Sequence, residues 1–123
     1  NYKLFDFDDQ LFKKISDFDL AITRSGSSAI AELAYLNIPF IAIPFPFAKD
    51  NHQYFNARFY ESSDSCWLIE QNNFNNNYFS NLITHLFNEK IEYFNKKENL
   101  IKNYNQNTWN NVNKKLLDLI DEN

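Results

Sequence analysis

The chain has 123 residues, a formal net charge of −4 and a single cysteine. A mildly acidic chain lacks the basic surface that binds nucleic-acid phosphates, so nucleic acid is not an expected partner. No apolar run is long enough for a transmembrane segment, and one cysteine cannot form an internal disulfide, which favours a reducing compartment. The chain starts with Asn1 rather than methionine, and we expect it to be a piece of a longer protein.

Hydrophobic periodicity predicts short buried strands that alternate with amphipathic helices. The predicted strands cover residues 20–23, 40–43 and 66–69. The predicted helices cover residues 8–15, 28–36 and 50–60, and three more helical patterns follow the last strand, over residues 79–86, 91–104 and 109–120. This order indicates an α/β fold, a Rossmann-like parallel sheet of about three strands with crossover helices and closing C-terminal helices. We expect one domain over residues 1–123.

The helix after the second predicted strand has a recognisable start. Two prolines follow that strand and favour a stiff, extended loop. Asp50 then has the position of an N-cap, with Gln53 three residues later as its capping-box partner. Phe55 and Phe59 are expected on the buried side of this helix.

The only glycine, Gly26, stands where the first predicted strand turns into a helix. We expect this turn to need a residue without a Cβ, and the helix N-terminus behind it offers unpaired N–H groups to an anion. Gly26, Ser27 and Ser28 could therefore hold a diphosphate without a metal. An ordinary tight turn with a serine N-cap fits the same residues.

Further polar residues follow the carboxyl ends of the predicted strands, where open parallel sheets bind ligands. Glu32 lies one turn beyond Ser28 and could accept two hydrogen bonds from ribose hydroxyls, or it could simply be an exposed acid near a helix N-terminus. His52 and Gln53 could bind sugar hydroxyls, or they could be a solvated first-turn residue and a capping partner.

The remaining candidates for chemistry have simpler interpretations. Cys66 is expected in the core, and His85 is expected at the surface or in helix packing. The sequence contains no plausible Ser–His–Asp set and no metal-ligand cluster, so we expect neither a metal nor a cofactor.

Taken together, these motifs resemble the C-terminal domain of the MurG family of glycosyltransferases, within glycosyltransferase family 28. The shared motifs are Arg-Ser-Gly, Ala-Glu-Leu, Pro-Phe-Pro and Asp-x-x-Gln-x-x-Asn-Ala, at residues 24–26, 31–33, 44–46 and 50–57. The resemblance continues more loosely through residues 67–71 and the closing helices. It implies the two-domain GT-B fold, with this chain as the later part of the UDP-sugar-binding domain and with the N-terminal acceptor domain missing.

The resemblance implies a set of residues that bind UDP-N-acetylglucosamine. They are Leu11, Gly26, Ser27, Ser28, Ala29, Glu32, His52 and Gln53. The backbone of residues 27–29 would face the diphosphate, Glu32 would hold the ribose hydroxyls, and His52 with Gln53 would read the sugar. Leu11 would lie in the segment that contacts uracil. Ala29 stands where the family often has threonine, so a side-chain hydroxyl near the phosphates is absent.

The implied reaction is an inverting transfer of N-acetylglucosamine from its UDP donor to lipid I, which forms lipid II for peptidoglycan. The muramoyl 4-hydroxyl would attack the anomeric carbon, and the helix start at residues 26–29 would meet the charge of the leaving UDP. The family's setting implies a cytoplasmic protein, peripheral on the cytoplasmic face of the plasma membrane. As it stands, the chain is expected to bind donor poorly and to catalyse nothing.

Three alternatives stay open at this stage. The chain could belong to another GT-B transferase, such as a diacylglycerol glucosyltransferase, because the donor-binding half is shared. It could be the donor-binding subunit of a split UDP-N-acetylglucosamine transferase, which a reading frame extending upstream by about another domain would exclude. It could also be a Rossmann-like scaffold without a ligand.

Overall fold

Three short strands form one parallel sheet at the centre of the computed structural model, which describes residues 17–106 and Leu117. In the order of the sheet they are β1 (Ala21–Thr23), β2 (Phe40–Ala42) and β3 (Trp67–Leu68). Ile41 in the central strand pairs with Ile22 on one side and with Trp67 on the other. The predicted parallel sheet is confirmed, with strands slightly shorter than predicted.

Within residues 17–106, four helices pack around this sheet. They are α1 (Ser27–Tyr35), α2 (His52–Ser62), α3 (Asn76–Asn88) and α4 (Lys90–Gln106). Short 3-10 segments precede α2 at Lys49–Asn51 and follow β3 at Gln71–Asn73. None of the described helices is long and apolar enough to cross a membrane. The helix predicted over residues 8–15 lies outside the described residues, and so does the helix predicted over residues 109–120 except for Leu117, which is helical.

The bounds of α1 follow from its sequence. Ile30, Leu33 and Ala34 are buried, at the spacing that places side chains on one face of a helix. The chain leaves the helix through Asn37, whose φ of 58° is a left-handed conformation that asparagine tolerates. Pro39 then leads into β2, so the chain reverses within a few residues and β2 lies beside β1.

Helices cover both faces of the sheet, because side chains alternate along its strands. Phe40 and Ala42 of β2 pack with α1 and α2 on one face, while Ile41 packs against α3 on the other. Helix α4 contributes to both cores, with Leu100 in the first and Tyr93 at the margin of the second. This is the arrangement expected of a parallel sheet with crossover helices.

The buried side of α2 differs from the prediction. Phe55 and Phe59 are 60% and 52% exposed, so the expectation that they face the core is wrong. The fully buried residue is Ala57, and Tyr60 packs edge-to-face on Phe40 with ring centroids 5.6 Å apart. A small side chain at the contact point allows the helix to approach the sheet closely, which hydrophobicity alone does not indicate.

The inward face of α4 includes a polar residue. Ile91 and Phe94 are exposed, whereas Leu100 and Asn103 are buried. Asn103 donates a hydrogen bond of 2.8 Å to the hydroxyl of Ser63 at the end of α2. The buried amide is therefore paired, as buried polar groups usually are.

Candidate functional site

The loop between β1 and α1 contains one residue in a strained conformation. Ser25 has a φ of 72°, in the left-handed region that non-glycine residues seldom adopt. Gly26 has φ −61° and ψ 143°, which any residue can adopt. The backbone conformation at residue 26 therefore does not require glycine, and the expectation that this turn needs a residue without a Cβ is wrong. A Cβ built there would also meet no described atom within 4 Å. The space beside Gly26 is open to a ligand.

The N-terminus of α1 offers three unpaired donors. The first hydrogen bond of the helix runs from the N–H of Ile30 to the carbonyl of Gly26, at 3.0 Å. The N–H groups of Ser27, Ser28 and Ala29 have no partner among the described residues, and no side chain caps the helix. The alternative of a serine N-cap is thus wrong, since Gly26 is the N-cap. Unpaired N–H groups and the helix dipole together favour an anion at this point.

Glu32 lies on the exposed side of α1, one turn beyond Ser28. Within the described part of the chain its carboxylate forms no hydrogen bond and no ion pair. Its burial is slight, so both oxygens are available to a ligand bound at the helix N-terminus. Glu32 therefore presents an exposed carboxylate one helical turn beyond the donors of residues 27–29.

The start of α2 differs from the predicted capping box. Asp50 and Asn51 both have left-handed backbones, with φ of 55° and 56°. Asn51 is the N-cap, and its side chain makes no capping hydrogen bond within the described residues. Gln53 instead accepts a hydrogen bond of 2.8 Å from the backbone N–H of Phe45, in the loop after β2. Gln53 therefore stabilises the loop after β2 and does not cap the start of α2.

His52 and Gln53 each keep a polar atom that no described residue occupies. Nδ1 of His52 donates to the carbonyl of Lys49 at 2.7 Å, so Nε2 is left as an acceptor in the neutral ring. Gln53 uses its Oε1 on Phe45, which leaves its amide nitrogen as a donor. A hydroxyl can both donate and accept, so this pair suits a sugar.

Contacts between the loops join the carboxyl ends of the three strands. Arg24 donates from Nη1 to Oε1 of Gln71 at 2.5 Å, and its guanidinium lies 6.0 Å from the ring centre of Phe45. A cleft of about 490 Å³ opens beside these residues, lined by Ile22, Thr23, Arg24, Ile43, Gln71 and Phe74. Ile22 and Ile43 lie on the face of the sheet that packs against α3, so the cleft runs along β1 on that face.

Sequence reasoning missed one contact of this site. Asn56 donates from Nδ2 to the carbonyl of Ser25 at 3.2 Å and so joins α2 to the loop before α1. Its spacing is the signal that could have revealed it, because Asn56 follows His52 by one helical turn and shares its side of α2.

The other sequence-predicted residues lie elsewhere. Cys66 is fully buried, and burial raises the pKa of its thiol to about 12, so it stays protonated as the core residue that was predicted. His85 lies at the surface, where its Nε2 is 2.8 Å from Oε2 of Glu92. In the described part of the chain no three His, Cys, Asp or Glu side chains converge on a possible metal site. Leu11 lies outside the described residues.

A parallel sheet with helices on both faces and an open helix N-terminus at its carboxyl edge defines a Rossmann-like α/β domain. Comparison with known proteins gives its family. The sequence model described as the glycosyltransferase family 28 C-terminal domain matches residues 1–116. The chain therefore belongs to this family.

Individual relatives agree with this assignment. The chain is 42% identical over 122 residues to the UDP-N-acetylglucosamine--N-acetylmuramyl-(pentapeptide) pyrophosphoryl-undecaprenol N-acetylglucosamine transferase of Pelagibacter ubique, a match that covers 98% of this chain and 34% of the relative. The enzyme of the same name from Rickettsia canadensis is 47% identical over 72 residues, covering 58% of this chain and 20% of the relative.

A solved structure shows the same fold. The crystal structure of Acinetobacter baumannii MurG matches with a TM-score of 0.72 and 25% identity, over 98% of this chain and 33% of that chain. The chain thus spans about a third of the length of this structure and of the Pelagibacter relative.

Proposed function

We propose that this chain is the donor-binding part of an inverting glycosyltransferase that moves N-acetylglucosamine from UDP-N-acetylglucosamine to lipid I, forming lipid II in peptidoglycan synthesis. The observation that carries the proposal is the group of three unpaired N–H donors at the start of α1, beside the exposed carboxylate of Glu32. The names of the relatives support the choice of donor and acceptor.

In this proposal the diphosphate of the donor binds the N–H groups of Ser27, Ser28 and Ala29. Gly26 supports this binding because a Cβ there would occupy open space on the ligand's side. As the bond between sugar and phosphate breaks, negative charge grows on the leaving UDP. Fixed N–H donors and the helix dipole stabilise that charge without reorganising, which lowers the barrier.

The remaining residues of the site orient the donor. Glu32 accepts hydrogen bonds from the two ribose hydroxyls. The free nitrogens of His52 and Gln53 form hydrogen bonds with hydroxyls of the sugar. The muramoyl 4-hydroxyl attacks the anomeric carbon from the side opposite UDP and gives its proton to a base outside this chain as the bond to UDP breaks, so the configuration inverts. No residue of this chain is proposed as the general base.

The acceptor would bind through a further domain, which the greater length of the relatives accommodates. Because lipid I is a membrane lipid, we propose that the protein works at the cytoplasmic face of the plasma membrane as a peripheral protein.

Calorimetric titration of the full-length protein with UDP tests the proposal at Glu32. A hydrogen bond to a charged group contributes about 1.5–3 kcal/mol, so Glu32→Gln should weaken UDP binding about tenfold or more. The wild type should bind UDP more tightly than 2′-deoxy-UDP, and this difference should be smaller in the variant. Glu98→Gln, at an exposed acid of α4, is the matched control and should bind UDP normally. Unchanged UDP affinity in Glu32→Gln would contradict the assignment.

A further inference from the structure

Ser25 is the least well anchored of the buried residues at the proposed diphosphate site. It is fully buried, yet its hydroxyl has no hydrogen-bond partner in the described part of the chain, and its backbone has the left-handed φ of 72°. Its own N–H has a contact of only 3.4 Å, to Oγ1 of Thr23. Such a conformation persists only where the surroundings hold it.

Asn56 supplies that support from another element. Its Nδ2 donates to the carbonyl of Ser25 at 3.2 Å across 31 positions of sequence. Helix α2 is itself fixed nearby, because Ala57 is fully buried against the sheet and its carbonyl lies 3.7 Å from the sulfur of Cys66. The side-chain amide of Asn56 is therefore carried by a helix that is packed against the sheet.

Holding this carbonyl also orients the next N–H group. The C=O and N–H of a trans peptide point in opposite directions, so a Ser25 carbonyl turned toward Asn56 directs the N–H of Gly26 away from α2. That N–H has no partner among the described residues. It precedes the three unpaired donors of residues 27–29 in the chain.

We propose that Asn56 is a positioning residue for the diphosphate site. By holding the Ser25 carbonyl it fixes the left-handed turn, and with it the direction of the N–H donors from Gly26 to Ala29. It acts on the phosphate through the backbone and does not touch the ligand. This inference rests on the proposed function, because it needs a diphosphate at the start of α1.

The fold contains a matched contact for use as a control. Asn99 of α4 donates from Nδ2 to the carbonyl of Asp64 at 3.0 Å, and Asp64 has a left-handed φ of 56°. The chemistry is the same, but Asp64 precedes β3 and so lies at the opposite edge of the sheet from the Gly26 loop. Loss of this hydrogen bond should lower the stability of the fold without changing the affinity for the ligand.

The test measures binding of UDP and of uridine to the full-length protein, by calorimetry for UDP and by ligand-observed NMR for uridine. Asn56→Leu keeps the approximate volume and removes the donor, while Asn56→Ala favours the helix and serves if the leucine variant does not fold. We expect UDP affinity to fall about tenfold, or about 1.4 kcal/mol, with uridine affinity unchanged. Asn99→Leu should leave both affinities at their wild-type values.

The outcomes separate this inference from the proposed function. If the wild type binds UDP no more tightly than uridine, the diphosphate site itself is refuted. If the wild type does favour UDP but the Asn56 variants keep that preference, the positioning role is overturned and the site stands. An equal loss for UDP and uridine in the Asn56 variants also overturns the role, because it indicates general damage to the fold.

Discussion

Replacing Gly26 by alanine separates what the fold needs from what the ligand needs. The backbone at Gly26 is extended and a Cβ there meets no described atom within 4 Å, so the folded chain accommodates alanine without strain. Alanine restricts the unfolded chain and stabilises by about 0.4–1 kcal/mol. It is also a poorer N-cap than glycine, at a cost of about 0.5–1 kcal/mol. The two effects nearly cancel, and we expect a melting temperature within about 4 °C of the wild type.

Ligand binding should respond differently to the same substitution. A methyl group at residue 26 would occupy the space through which a diphosphate reaches the N–H groups of residues 27–29. We therefore expect Gly26→Ala to weaken UDP binding at least about tenfold, or about 1.4 kcal/mol, in calorimetric titration of the full-length protein. Ser28→Ala is the control, because backbone donors carry the binding. Normal UDP affinity in Gly26→Ala would refute the reasoning, and so would a loss of stability large enough to unfold it.

Two further predictions concern side chains whose hydrogen bonds are defined. Gln53→Ala removes the acceptor for the Phe45 N–H and should weaken binding of UDP-N-acetylglucosamine more than that of UDP. Calorimetry checks this once the variant is shown to keep its thermal stability. An equal fall in the affinities for both ligands would contradict it. Trp67 and His85 donate to Glu92 and lower its pKa, so this stabilisation is present above the usual carboxyl pKa and is lost as the pH falls through the lower folded value. Between about pH 7 and pH 3, the free energy of unfolding should fall less for Glu92→Gln than for the wild type, as measured by denaturation at each pH. Identical pH profiles would contradict this prediction.

The alternation of strands and helices was predictable because each element has a clear hydrophobic period. Ile30, Leu33 and Ala34 define the inward face of α1 in the sequence and in the structure. The inward face of α2 was not predictable, because Phe55 and Phe59 are the most apolar residues of that helix and yet are exposed. The contact with the sheet is made by Ala57, whose small volume matters more than its hydrophobicity.

For the candidate site, the sequence indicated which loop to examine but not how the residues of that loop are hydrogen-bonded. A single glycine between a strand and a helix indicates an anion site, and the structure places unpaired donors there. The strained backbone, however, lies one residue earlier, at Ser25, and the carbonyl of Ser25 accepts a hydrogen bond from Asn56 of α2. Likewise, the spacing of Asp50 and Gln53 fits a capping box, but the left-handed backbone at Asp50 prevents it, and Gln53 bonds to the loop instead.

The central claim is that the start of α1 binds the diphosphate of a UDP-sugar. The most direct test is an amide NMR titration of the isotope-labelled full-length protein with UDP-N-acetylglucosamine. We predict that the amide signals of Ser27, Ser28 and Ala29 shift most and move downfield, as expected for N–H groups that gain a charged acceptor. Saturable binding that leaves these three amides unchanged would contradict the claim.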